Sequence, residues 1–499
     1  MSRYVIGIDQ GTTGTFVGLM DGDGTLVAHA YEQHRQIYPQ TGWVEQAPLE
    51  LWNIAANLLN EVIDQSAVNA DAIAGIGIAN QGESVMVWDA ETGQPLHNIL
   101  VWQDTRTQRW TEKLAADSTL ANEISRRTGL RLDSYFSASK IRWLLDNVPD
   151  ASKLLDAGRL RCGTLDTWLI WQLTDGRNYV TDVSTASRTL LFNIHTLTWD
   201  DWLLQVFDIP GEILAEVKPS TSHLGTVSAA LLRCQGVPIL ASLVDQPAAM
   251  IGQGCLQAGQ IKATYGTGCF INLNTGQQPV VSSQGLLTML AWQRGDAVTY
   301  GLDGGVLAAG TSVNWSREAL GLLPPNTSID EMVDHADYGS VMWIPALIGL
   351  GPPYWNRSMR GAWLGINLET DRAQLVRAVL EGIALRVVQL VRAMMADTAL
   401  EIRVLRADGG LTNNAALMQL QADLLGYPVE VLLDPEATAS GACYLAARQA
   451  GIWETDQQMV PHIRVARTYE PSLSADVREA RLDRFDRAVK ALATWQSDD

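Results

Sequence analysis

Apolar positions along this chain follow two periods, and the way they alternate predicts the fold. Tyr4 to Ile8 is a short apolar run that stops at Asp9 and turns through Gln10-Gly11-Thr12-Thr13-Gly14 into a second run, Phe16 to Met20. That pattern predicts a hairpin with a polar tip. Asp21-Gly22-Asp23-Gly24 makes the next turn, and Leu26 to Tyr31 reads as a third strand. From Leu49 to Ser66 the apolar residues (Leu51, Ile54, Ala55, Leu58, Leu59, Val62) recur every three or four positions, which predicts an amphipathic helix, and Ala74 to Ile78 returns to an extended run. A second beginning occurs mid-chain. Gln260 to Tyr265 ends on Gly266-Thr267-Gly268 and is followed by the strand-like Cys269 to Leu273, so each half opens with a strand, a Gly-Thr tip and a strand. Asp371 to Asp397 predicts a long helix, Ile402 to Ala407 a buried strand stopping at Asp408-Gly409-Gly410, and a further helix starts near Asn413. The last forty or so residues predict a charged helix, Ala475 to Trp495, packed on the second half. Alternating strands and helices indicate an α/β protein.

Composition adds size and surroundings. At 499 residues the chain exceeds the roughly 100–200 residues of a single domain, so two large domains are expected, 1–250 and 251–499, with no low-complexity linker between them. Thirty-six Lys and Arg against 55 Asp and Glu leave a net charge of −19, which repels phosphate backbones and anionic headgroups; no nucleic-acid partner and no membrane insertion are expected. The apolar run Val341 to Trp355 is short and broken by prolines and glycines, so it does not read as a span. Five scattered cysteines without a C-x-x-C pair suggest neither a disulfide framework nor a zinc site, and a start lacking the apolar stretch of a signal peptide fits a cytoplasmic location.

Several familiar chemistries are missing. None of the six lysines follows a glycine, so the G-x-x-x-x-G-K-[ST] phosphate loop is absent, as are H-E-x-x-H and G-x-S-x-G. What remains are three turns of one kind: Asp9-Gln-Gly-Thr-Thr-Gly, Tyr265-Gly-Thr-Gly and Asp408-Gly-Gly. Glycines let backbone N–H groups close on a polyphosphate, and neighbouring threonine hydroxyls add donors. Asp9 would then serve a magnesium ion, directly or through its waters. Each turn alone is also what an ordinary hairpin needs; the ordered set is more specific.

Taken together these segments resemble the FGGY carbohydrate kinases, and within them the glycerol kinase branch, from Tyr4 to about Trp453. Tyr135 to Asn147 fits the first family signature and Gly361 to Glu381 the second; IDQGTTGT at the start, GIANQGES around Gly82, VWQDTRT from Val101, ASRTLLFNIHTLTWDD from Ala186, DQPAAM from Asp245 and YGTGCF from Tyr265 carry the branch resemblance. It implies two actin-like, RNase-H-like domains with a cleft between them, an ATP- and Mg²⁺-dependent transfer of phosphate to a small polyol or sugar, and a homodimer or homotetramer. By the same resemblance Asp245 corresponds to the general base. Gly82, Glu83, Trp102, Tyr135, Gln246 and Phe270, with Asp245, match the polyol pocket. Thr12, Thr13, Gly266, Thr267, Gly310, Asn314, Gly409, Gly410 and Asn414 match nucleotide contacts, and Asp9 the magnesium position.

Two departures stand out. The family's arginine before the pocket glutamate is Gly82 here, and the basic residue after the first phosphate turn is Phe16. A pocket without the arginine's donors is expected to use glycerol poorly and to take a longer acceptor such as erythritol, threitol or a pentitol. The alternative from another class is a non-catalytic, actin-like ATP-binding sensor. Phe16 and Gly82 would be its traces, whereas the retained Asp9, Asp245 and Thr267 point to a kinase.

Overall fold

In the computed structural model, which describes residues 4–324, 327–333, 340–434 and 436–496, the strand Tyr4–Gln10 pairs antiparallel with Gly14–Asp21 in a register that sets Asp9 opposite Phe16. Leu26–Gln33 continues the antiparallel ribbon, and Ile73–Asn80 and Pro238–Val244 add in parallel on the other side. The spatial order is therefore 3-2-1-4-5. The second half repeats it. Ile261–Tyr265 pairs with Cys269–Gly276, which pairs with Ala297–Val306, while Leu405–Asp408 and Val429–Leu432 follow in parallel. Extra strands, Leu287–Arg294 and Val465–Tyr469, flank the repeat. Thr221–Thr226 joins the halves, so one thirteen-stranded sheet runs through both. Two RNase-H-like units are thus built on one sheet.

Helix boundaries follow local chemistry. Pro48–Ser66 starts with a proline that needs no N–H partner there, buries Leu51, Ile54, Ala55, Leu58, Leu59 and Val62, and ends on Ala67 at φ 53°. The long helix Arg372–Thr398 opens with a capping box between Asp371 and Gln374. The closing helix Ala475–Gln496 docks on the second core through Leu482, Phe485, Val489 and Leu492. The strand expected over Ile402 to Ala407 is shorter. Pairing to Ile261 and Val429 begins only at Leu405; Ile402 is buried but lies in the loop before it.

The first half also carries a subdomain, built mostly between Asn80 and Thr221 with one short strand from before it. Its small sheet, Glu45–Gln46, Ile99–Leu100, Val85–Asp89 and Leu160–Thr164, packs with surrounding helices around Phe136, Ile141, Leu144, Leu190 and Phe207. Among the described residues no helix is long and apolar enough to cross a membrane.

The two halves meet along a seam of backbone contact. Helix Ala437–Gln449, late in the chain, lies on the first-half sheet and crosses helix Asp245–Gly252. A Cβ on Gly7 or Gly77 would strike the Ala439 or Ala442 carbonyl, and one on Gly252 or Gly441 would strike the Ala437 or Ala248 carbonyl. Only hydrogen fits at these four positions. Helix propensity alone makes Gly441→Ala stabilising by roughly 1 kcal/mol; the seam predicts the opposite sign, a loss of about 1–3 kcal/mol from overpacking. Denaturant unfolding of the two proteins decides between them, and a more stable variant would mean that the seam is loose.

Candidate functional site

All three glycine turns lie at the carboxyl ends of strands, the edge at which open α/β sheets bind ligands. At the first tip Gly11 N–H donates to the Gly14 carbonyl (3.0 Å) and Thr13 is exposed. At the second, Gly266 N–H donates to the Gly268 carbonyl (2.8 Å), leaving Thr267 exposed. Helix Gly310–Glu318 begins against this tip: Gly310 and Thr311 N–H donate to the Gly266 and Thr267 carbonyls (both 3.1 Å), and a Cβ at 310 would overlap the Gly266 carbonyl. Asn314 stands exposed one turn further on. The third turn packs on the same hairpin, because Gly409, at φ 90°, sits against the Tyr265 carbonyl, and Gly410 faces open space. Asn414 caps helix Ala415–Leu425, its Oδ1 accepting from Leu417 N–H at 2.9 Å. The structure therefore gathers Gly266, Thr267, Gly310, Gly409 and Gly410 around one hairpin tip, with Asn314 and Asn414 on the helices that leave it.

Carboxylates converge beneath these tips. Asp9 is the penultimate residue of the first strand, Asp245 follows Val244 as the first residue of its helix, and Asp408 ends Leu405–Asp408. Burial raises all three above the usual carboxylate range; Asp245 and Glu436 push Asp9 further up. Asp9 Oδ1 is buried without a hydrogen-bond partner. Asp245 Oδ1 accepts the Gln246 N–H at 2.6 Å. The counter-charge is Lys262, a fully buried lysine that the sequence reading passed over because it follows no glycine. Its Nζ donates to Gln246 Oε1 and to Thr264 Oγ1 (2.9 Å), and its charge pulls Asp245 and Asp408 back down. Strand register explains the placement, since Lys262, Asn272 and Asp303 form one cross-strand row and Thr264, Phe270 and Gly305 the next.

The facing wall of the cleft comes mainly from the subdomain. Trp102 donates from Nε1 to Thr12 Oγ1 (2.9 Å), so one indole ties the pocket to the first tip. Its ring meets Tyr135 edge-on at 5.4 Å. Gln81 Nε2 donates to the Gly11 carbonyl (3.2 Å) and to Gln46 Oε1 (3.0 Å), and Ser84 Oγ accepts from Trp102 N–H (3.1 Å), which fixes the loop carrying Gly82 and Glu83. Glu83 holds a left-handed backbone, φ 59°, with its carbonyl accepting from Ser137 Oγ at 2.9 Å. Such strain persists where surrounding contacts enforce it. Phe270 is half-buried on the second-half face, packed on Gly268 and Gly305.

Gly82 does not leave this wall without a cation. A Cβ there would lie 3.7 Å from Arg188 Cγ and 3.3 Å from Val244 Cγ1. Arg188 is buried, donates from Nε to Glu83 Oε1, and lies over the Tyr135 and Phe136 rings at 5.9 and 5.4 Å. Its partner Glu83 is 105 residues away, so spacing offered no signal for it. Opposite Asp9 in the first hairpin Phe16 is buried and stacked on His29 at 5.6 Å, so no basic side chain stands at position 16. The arrangement offers buried carboxylates beside exposed N–H and hydroxyl donors, with an aromatic and charged pocket across the cleft: the parts needed to hold a phosphate chain, an acceptor and one proton.

Residues 4–252 match the FGGY family of carbohydrate kinases, N-terminal domain, and residues 261–450 its C-terminal domain. The chain is 42% identical over 496 residues to glycerol kinase from Paraburkholderia phymatum and 42% over 499 residues to that from Burkholderia cenocepacia, covering 99% of both chains in each case. The crystal structure of Plasmodium falciparum glycerol kinase with ADP superposes with a TM-score of 0.92 at 34% identity, over 98% of each chain. Xylulose kinase from Lactobacillus acidophilus, at 22% identity and a TM-score of 0.89 over 99% of each chain, shares the fold. Repeated RNase-H-like halves, a cleft edged by glycine tips and full-length similarity agree: the chain belongs to the FGGY family of carbohydrate kinases and is an ATP-dependent phosphotransferase.

Proposed function

We propose that this kinase transfers the terminal phosphoryl group of ATP to a hydroxyl of glycerol. The observation that carries the reading is Arg188 on Glu83 beside Gly82, which keeps a guanidinium at the wall where the family arginine is missing. Gly82 supports a second acceptor class, longer polyols such as erythritol, threitol or a pentitol, because a hydrogen stands where the family arginine would extend. Glu83, Gln246, Trp102, Tyr135 and Phe270 hold the carbon chain and its hydroxyls in this reading. Thr12, Thr13, Gly266, Thr267, Gly310, Asn314, Gly409, Gly410 and Asn414 hold the nucleotide.

Asp245 takes the proton from the attacking hydroxyl as the oxygen bonds to phosphorus and the bond to the ADP oxygen breaks. Burial makes its carboxylate more basic than usual, and the charge of Lys262 offsets part of that rise. Magnesium fits the residues present. Asp9 Oδ1 is buried and unpartnered, and this ion takes few carboxylates, retained water and phosphate oxygens. When bound it neutralises phosphate charge, which matters more where Phe16 supplies none. Cytoplasmic location and assembly as a homodimer or homotetramer belong to the same proposal; light scattering reads the latter.

Asp245→Asn keeps the shape without the basicity, so polyol-dependent ADP release should fall roughly 10²- to 10⁴-fold while nucleotide affinity stays near that of the unmodified enzyme. A variant with most of its turnover would remove Asp245 from that role.

The pH profile tests Lys262. The base works deprotonated, so kcat/KM falls as pH drops through its pKa. Removing a neighbouring cation raises that pKa, so Lys262→Met should move the acid limb to higher pH. An unmoved limb means that Lys262 does not tune Asp245.

Acceptor choice is read from kcat/KM for glycerol, erythritol, threitol and pentitols, with a no-acceptor control. Glycerol should be used, and Gly82→Arg should raise the glycerol-to-pentitol ratio roughly 10- to 100-fold, the worth of one charge-assisted hydrogen bond. No acceptor-dependent ADP release across the panel would sink the polyol reading; an unchanged ratio would sink the assignment of Gly82 to acceptor size.

A further inference from the structure

Arg188 belongs to the first half, following the short helix Val183–Ser187, yet it touches both halves. Its Nε donates to Glu83 Oε1, and its Nη2 lies 3.4 Å from Asp303 Oδ2 on the second-half strand Ala297–Val306. Asp303 Oδ1 is taken by Asn272 Nδ2 at 3.0 Å, so both of its oxygens face protein groups rather than the acceptor. Arg188 and Asp303 are only 6% and 7% exposed, which removes most of the solvent screening between them. The two arms differ in length. The contact across the boundary is longer than the roughly 2.7–2.9 Å of a full charge-assisted bond, so it has room to tighten.

We infer that Arg188 is a positioning residue that couples occupancy of the polyol pocket to closure of the two halves. The inference rests on the polyol-kinase reading above. One guanidinium is shared between two carboxylates; Lys140 and Lys262 lie within charge range of them but hydrogen-bond elsewhere, so Arg188 is the cation whose bonds the pair divides. An acceptor hydroxyl donating to Glu83 relieves that carboxylate's demand on Arg188 and frees the fork to tighten on Asp303. Drawing the strand Ala297–Val306 toward the subdomain brings Phe270, on the strand paired to it, and the second hairpin tip that this strand leaves against the acceptor. Linkage requires the converse: a nucleotide that favours the closed arrangement strengthens acceptor binding by the same factor. Lysine cannot replace Arg188 in this role, because a single ammonium lacks the planar fork that reaches two carboxylates at once.

The test is calorimetric binding of glycerol with and without the magnesium salt of the non-hydrolysable β,γ-imido analogue of ATP, on the unmodified enzyme, Asp303→Asn and Arg188→Lys. In the unmodified enzyme the analogue should tighten glycerol binding by roughly 5- to 150-fold, the usual range of such coupling. Asp303→Asn leaves the Arg188 contact with Glu83 intact, so glycerol binding alone should change less than about 3-fold while the coupling factor falls toward one. Arg188→Lys should lose the coupling as well and weaken glycerol binding by roughly 10-fold or more. Small-angle scattering supplies the structural readout: the compaction of the unmodified enzyme with both ligands should be reduced in both variants. A coupling factor of one in the unmodified enzyme, or an unaltered factor in Asp303→Asn, overturns the proposal, and if that variant does not fold Arg188→Lys decides alone. An unmodified enzyme that neither binds glycerol nor releases ADP with it fails the polyol reading itself, and Arg188 falls with it. Turnover of glycerol with no effect of Asp303 fails only the bridge.

Discussion

Everything in the cleft depends on how little positive charge serves the carboxylates it brings together. Asp9, Glu83, Asp245, Asp303, Asp408 and Glu436 approach one another from both halves, and the buried cations Lys262, Arg188 and Lys140 serve them. Charges out of water cost several kcal/mol each unless they are paired. The deficit favours whatever cation and hydrogen-bond donors arrive with the ligands, while burial holds Asp245 above the usual carboxylate range. The same deficit explains why the walls are tied down. Trp102 is anchored to Thr12, Gln81 to Gly11 and Ser137 to Glu83, so that buried oxygens keep fixed partners.

Lys262 and Arg188 are each supplied by one half and meet groups of the other. Lys262 comes from the second half and donates to Gln246, next to Asp245; Arg188 comes from the first and reaches Asp303. Neither half therefore contains a neutralised site by itself. A substitution at one of these positions acts on chemistry and on the geometry of the halves together, which makes pH profiles and ligand coupling more informative than turnover alone.

The elements that could be read from the sequence are those that local periodicity determines. Both hairpins, the helix at Pro48–Ser66 and the long helix Arg372–Thr398 follow from apolar spacing and turn residues within a single window. The strand after that long helix begins three residues later than its apolar run, because Ile402 is as apolar as Leu405, and only pairing with Ile261 and Val429 distinguishes them. Glycine tips were readable as a set. Their clustering around one hairpin depends on Gly310 and Gly409 pressing on the carbonyls of Gly266 and Tyr265, contacts no local window contains. Gly82 read as a vacancy because Arg188 lies far along the chain, and Lys262 read as the mere absence of a phosphate loop. Both arise from register across strands or between domains, and register is invisible where no alternation breaks.

The seam under helix Ala437–Gln449 also bears on how the chain comes to be folded. Gly7 and Gly77 receive carbonyls from a segment made more than 350 residues after them, as residue numbers give directly. During synthesis, at roughly 5–20 residues per second, the first sheet waits tens of seconds for the helix that covers it. Its glycine-lined face is bare until then, an exposed surface of the kind that invites misassembly. The same distance makes the protein hard to divide. A chain severed near the middle would yield a first piece whose sheet lacks its cover and a second with a helix that has nothing beneath it, so release of the last hundred residues from the ribosome, rather than completion of either half, sets the moment at which the molecule can become native.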